Sequence, residues 1–194
     1  MTEQQLKKLH EQTVSSSVSR PTEKRAERPL PNSLLKELAF YGIKLAVILL
    51  VAMLIFTFFY GVHRVNDPGM MPALRDGDLV IFNRFDRSPT NNDLVVLDFE
   101  GQRQIRRVVA RAGDTVDITG EGLIVNGAIV RELGIYYFTH RFEEGIDFPL
   151  TVGEGQVFVL GDARPNATDS RIYGPVNISD TLGTVVTVNR RKKF

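Results

Sequence analysis

The sequence predicts a mainly β domain held behind one apolar helix. Three observations lead there: an uncharged run of membrane-spanning length, a long stretch of short Val/Ile/Leu/Phe runs punctuated by Gly, Asp, Asn and Pro, and a sharp hairpin signal within that stretch. With 194 residues, 43% of them hydrophobic, the chain has room for one domain and a short accessory segment. A formal net charge of +1, with both signs interspersed, provides no field to attract nucleic acid, and no nucleic-acid partner is expected. The chain has no Cys, which removes disulfides, thiol nucleophiles and thiolate metal sites. Its three His, at 10, 63 and 140, lack ligand spacing, so neither a metal centre nor a cofactor is expected.

The elements follow in order. Up to about Asn32 the chain is polar, with Pro21, Pro29 and Pro31, and cannot bury enough apolar area to fold alone; residues 1–38 read as a flexible cytoplasmic tail. Residues 39–62 read as a transmembrane helix, its centre being the uncharged run Leu45 to Val62. Lys44 stands where a long side chain snorkels to the interface, and Tyr41 and Tyr60 suit the two interfacial belts. A cleaved leader fits less well, because Phe58, Phe59 and Tyr60 occupy the place of a small-residue cleavage site. Arg25, Arg28, Lys36 and Lys44 precede the run, against Arg64 and Arg75 after it. Positive-inside counting therefore predicts a cytoplasmic N-terminus at the cell membrane and an extracellular C-terminal domain, residues 63–194.

Strands are predicted over Leu79 to Phe82, Leu94 to Phe99, Ile105 to Ala110, Val157 to Leu160 and Gly183 to Asn189. Between the apolar triplets of Leu123 to Val130, Asn126-Gly127 accepts the positive φ angles of a two-residue hairpin turn. No segment after Val62 shows a sustained helical period, and no repeats are evident. The basic end, Arg190-Arg191-Lys192-Lys193, reads as a solvated tail, with anionic lipid as its alternative contact.

Three segments stand out. The first is Asp67-Pro68-Gly69-Met70-Met71-Pro72-Ala73-Leu74. The second is Gln104-Ile105-Arg106-Arg107-Val108-Val109-Ala110 with Gly113-Asp114. The third is Gly161-Asp162-Ala163-Arg164-Pro165-Asn166-Ala167-Thr168-Asp169-Ser170-Arg171. Their order behind one apolar span resembles the type I signal peptidases, Ser/Lys endopeptidases of the S26 type, over about residues 40 to 190. The resemblance implies a signal-peptidase-like β-domain outside the cytoplasm. It aligns Gly69 with the nucleophilic Ser, Arg106 with the general-base Lys, Asp67 with an oxyanion-holding Ser, and Ala167 with a Ser that contacts the Lys. It also implies a peptide groove formed by Met70, Met71, Pro72, Arg106 and Val108, with apolar pockets for small side chains. Gly161, Asp162, Asp169, Ser170 and Arg171 would be structural, with Asp169 and Arg171 as a supporting ion pair.

A Ser/Lys mechanism needs a hydroxyl to be acylated and a neutral amine to take its proton. Gly69 has no side chain, and a guanidinium stays protonated where a buried Lys can be driven neutral. A carboxylate at 67 opposes developing negative charge. The expectation is a pseudo-enzyme that binds an extended segment of a secreted protein without cutting it. Asp67 and Arg106 are expected to pair in the former active site, with a surface position for Arg106 as the alternative. Signal-peptidase-like proteins without the catalytic pair accompany pilus subunits in some Gram-positive bacteria, so the resemblance implies a role in pilus assembly, with a pilin segment, a sortase and the lipid bilayer as partners. Two other readings stay open: an active signal peptidase using Ser88 or Ser170, and a passive membrane scaffold for sortase or pilin.

Overall fold

In a computed structural model of the protein, residues 32–191 are described. The predicted tail therefore lies outside the described residues as far as residue 31, as do Lys192 and Lys193. The chain divides into two compact units, residues 1–47 and 48–194, with the division falling inside the first helix. That helix, α1, runs Asn32–Phe59. It contains the segment Ser33–Phe59, long and apolar enough to cross a membrane, with its side chains exposed. At 1.5 Å per residue, 28 residues reach about 42 Å, more than the roughly 30 Å hydrocarbon layer. Asn32 to Leu38, read with the tail, are thus helical: Leu34, Leu35 and Leu38 extend the apolar surface backwards by two turns.

The helix also ends sooner than its composition suggests. Tyr60–Arg64 is an edge strand, β1, paired antiparallel with β2, Leu79–Asn83. Tyr60, Gly61 and Val62 prolong the apolar run, so composition cannot separate helix end from strand start; pairing with β2 decides it. At the junction the Arg84 N–H donates to the Phe59 carbonyl at 3.0 Å, and Phe85 packs 5.1 and 5.2 Å from the rings of Phe58 and Phe59.

The remaining strands are β3 (Leu94–Phe99), β4 (Gln102–Arg111), β5 (Thr115–Thr119), β6 (Gly122–Val125), β7 (Ala128–Ile129), β8 (Leu150–Thr151), β9 (Gln156–Leu160), β10 (Val176–Asn177) and β11 (Thr181–Asn189). They form a seven-stranded sheet, β1-β2-β11-β3-β4-β9-β10, and a four-stranded sheet, β7-β6-β5-β8. Every pairing is antiparallel. Each predicted strand is present; β3 has the bounds read for it, β2 extends to Asn83 and β9 starts at Gln156, and β4 and β11 run further beyond theirs. The hairpin of β6 and β7 turns at Asn126 and Gly127 with φ of 52° and 78°, as a two-residue turn requires. Apart from 3₁₀ turns, the only helix among the described residues after β1 is a single turn, α2, Ser170–Tyr173.

Two core clusters matter for the site. Val65, Met70, Leu74, Val80, Phe82, Val96 and Ile105 pack on one side of the large sheet and anchor the segment between β1 and β2. Val95, Leu97, Val108, Val157 and Val159 interlock β3, β4 and β9. Truncating a buried side chain such as Met70 to Ala would cost roughly 2–5 kcal/mol, so the backbone beside it is held firmly.

Candidate functional site

Gly69 lies in a 3₁₀ turn, Pro68–Met70, entered through Asp67, whose carboxylate accepts the Gly69 N–H at 2.9 Å. On the other side the Gly69 carbonyl accepts the Ala163 N–H at 2.9 Å, which ties the first segment to the third. Met70, 1% exposed, plugs the core beneath. That close approach needs glycine at 161, where a Cβ would stand 2.2 Å from the Ala167 Cβ and 2.6 Å from the Gly69 carbonyl oxygen.

Strand β4 delivers Arg106 to this turn. Its side chain is 1% exposed, so the surface alternative weighed from the sequence gives way to a buried position. Nη1 donates to the Asp67 carboxylate and to the Ile105 carbonyl at 2.6 Å, and Nε donates to the Thr168 carbonyl at 2.9 Å. The expected Asp67–Arg106 pair is therefore formed. A Cβ at position 69 would lie 3.1 Å from Cζ, Nη1 and Nη2 of Arg106, so the guanidinium occupies the space into which a side chain at 69 would project.

The third segment frames the site with buried ions. Arg171 clasps Asp169 through Nε and Nη2, both at 2.8 Å, and Asp169 also accepts the Gly161 N–H at 3.0 Å. This fork, with both members at most 2% exposed, is the supporting pair expected of Asp169 and Arg171. The Ser170 hydroxyl is fully buried and accepts the Val159 N–H at 3.0 Å, which fixes it in the framework. Ser88, the other alternative nucleophile, lines a separate surface cavity with Arg111 and Gln156. Asp162 is paired bidentately with Arg107, at 2.8 and 2.5 Å, and this hydrogen bonding raises the Arg107 pKa further. Arg164 is wholly buried; it donates to the Gly161 carbonyl at 2.8 Å, to the Glu132 carboxylate and to the Thr139 hydroxyl. Burial also drives the Tyr173 phenol far above its usual range, near Arg106, Asp169 and Asp67.

Beside Arg106 opens a cavity of about 770 Å³. Asp67, Pro68 and Arg106 line it, with Gln104 and Arg103 from β4, Asp98 from β3 and His63 from β1. Met70 and Val108, read as groove residues, are core members, while Met71 and Pro72 are exposed. From the sequence Gln104 is named only as the start of the second segment and His63 only as a residue without ligand spacing, and Asp98 and Arg103 carry no motif; the β3–β4 pairing and the end of β1 bring the four together. Burial, aided by the Arg103 charge, lowers the His63 pKa.

Comparison with known proteins gives the family. A family model described as signal peptidase, peptidase S26, matches residues 38–189. The chain belongs to that family. Signal peptidase I S of Bacillus subtilis is 31% identical over 144 residues, 67% of this chain and 75% of that protein. Signal peptidase I of Bacillus caldolyticus is 31% identical over 142 residues, 66% of this chain and 78% of that one. The crystal structure of a signal peptidase I from Enterococcus faecalis is 30% identical and aligns with a TM-score of 0.43 over 52% of this chain and 97% of that chain.

Within this signal peptidase scaffold the chemistry of the residues is plain. Position 69 has no nucleophilic atom, and its N–H is already bonded to the Asp67 carboxylate. Arg106 holds a fixed cation there, neutralised by the same carboxylate. Among the described residues no group of three or more His, Cys, Asp or Glu could hold a metal.

Proposed function

We propose that this member of the signal peptidase family is catalytically inactive and docks an extended segment of a secreted protein in the former active-site groove. The observation that carries the reading is the Arg106 guanidinium against Gly69, locked by Asp67. An acyl-enzyme needs an oxygen and a proton acceptor, and these two residues supply neither. The groove itself keeps the means to bind a strand. β4 pairs with β9 only from Arg107 to Arg111, so the opposite edge of Gln102 to Arg106 has no strand partner among the described residues. β1 is the terminal strand of the same sheet. Such edges bind extended peptides by β-augmentation.

In this reading α1 crosses the cell membrane with its N-terminus in the cytoplasm, following the excess of Lys and Arg before it, and residues 63–194 meet their partner outside. The partner is a secreted segment such as a pilin, with a sortase nearby, and the role is pilus assembly in a Gram-positive bacterium; this rests on the resemblance to signal-peptidase-like proteins without the catalytic pair. A photo-crosslinking residue in place of Gln102, exposed at the cavity, tests it in membranes of the native cell. We expect crosslinks to an exported protein, mapped to one extended segment and suppressed by a peptide of that segment. A role as passive scaffold gives no crosslink from this cavity.

A further inference from the structure

The cavity beside Arg106 differs from the small apolar pockets that the family resemblance implies. Pro68 is its one hydrocarbon side chain, and its other side chains are polar or charged. Gln104 lies on the same face of β4 as Arg106, two residues away, and is 8% exposed. It lines the cavity, yet its Oε1 is buried without a hydrogen-bond partner among the described residues. Buried amide oxygens are rarely left unpaired, and an orphan of this kind marks a missing partner. Its terminal torsion is broad and roughly two-fold, so a half-turn of the amide presents either end to the cavity.

The charges around it cancel. Asp67 is paired with Arg106, and Asp98 stands directly across the β3–β4 ladder from Arg103. A charged guest would therefore meet a like charge as well as an opposite one, and an aliphatic guest would strip water from polar walls without replacing its hydrogen bonds. A carboxamide meets neither penalty, and it matches the Gln104 amide as donor to acceptor and acceptor to donor.

We infer that the groove selects an extended peptide carrying an Asn or Gln side chain at the position that enters this cavity, where it pairs with the amide of Gln104. This rests on the docking reading above and specifies its ligand. The test uses the full-length protein in detergent micelles and fluorescein-labelled peptides of alternating Ala and Val with one guest residue: Asn, Gln, Ala, Leu, Asp or Lys. Binding is read by fluorescence anisotropy. Two reciprocal hydrogen bonds should make the Asn or Gln peptide bind about tenfold tighter than the Ala peptide. In Gln104→Leu the preference for Asn and Gln over Ala should vanish; a preference that survives overturns the inference. Equal affinity for all guests, or a preference for Ala, Leu or a charge, overturns the inference and leaves peptide docking standing. Absence of binding by every peptide overturns both. The comparison among guests on the unaltered protein decides the matter even where the Gln104 variant fails to fold.

Discussion

Replacing Asp67 with Ala would remove the acidic partner of a guanidinium that is 1% exposed. Breaking a buried pair costs roughly 3–5 kcal/mol; because Asp67 is itself 24% exposed and water reaches its place, the lower end, about 3 kcal/mol, is expected. For a chain of this length that corresponds to a fall in Tm of about 6–12 °C. Arg106→Met should cost less, about 1–2 kcal/mol, since the Asp67 carboxylate keeps the Gly69 N–H and some water. With both changes in one chain no unpaired ion remains, and the double variant should be more stable than the sum of the singles by about 2 kcal/mol. The chain contains no Trp, so the β-sheet circular dichroism of the full-length protein in micelles is the signal for unfolding. Additivity within about 0.5 kcal/mol would refute the reasoning, because it would mean that the two charges do not depend on each other.

Other consequences can be checked on the same preparation. Gly69→Ser pushes a Cβ to 3.1 Å from the Arg106 guanidinium and should lower stability by about 1–3 kcal/mol; adding Arg106→Lys should recover most of that loss in thermal melts. Glu132→Ala leaves the wholly buried Arg164 without its carboxylate and should cost about 3 kcal/mol, whereas Glu143→Ala, an exposed carboxylate with no ion pair among the described residues, should be near neutral. The His63 pKa is lowered from 6.5 by burial and by Arg103, so its neutral ring contributes stability that is present above pH 6.5 and lost as pH falls through the lowered value. His63→Gln should therefore flatten the decline in Tm on mild acidification; an unchanged slope would show that this ring does not contribute.

Much of the fold could be read from local pattern. β3 was bounded to the residue from its Val/Leu run, and the Asn126-Gly127 turn followed from the φ angles those residues tolerate. β1 was hidden because its first three residues continue the apolar composition of α1, and β8 and β10 because two residues carry no periodic signal. The Asp67–Arg106 pair was legible because the resemblance to signal peptidases implies one site for both residues. The polar cavity was not. Gln104, Asp98 and His63 come from three strands, and no local spacing announces that register and sheet order converge them. Met70 and Val108 show the converse: both were placed in the groove by motif, but Met70 points from its 3₁₀ turn into the core, and Val108, though on the Arg106 face of β4, is covered there by Val95, Leu97, Val157 and Val159.

The most direct measurement incubates the purified full-length protein with a signal peptidase preprotein and follows both by intact mass spectrometry. A parallel sample carries Asp67→Ser, Gly69→Ser, Arg106→Lys and Ala167→Ser together. The native chain should leave the preprotein uncut and gain no acyl adduct, and cleavage should emerge only in the fourfold variant. A shortened preprotein or an acylated chain from the native protein would contradict the account.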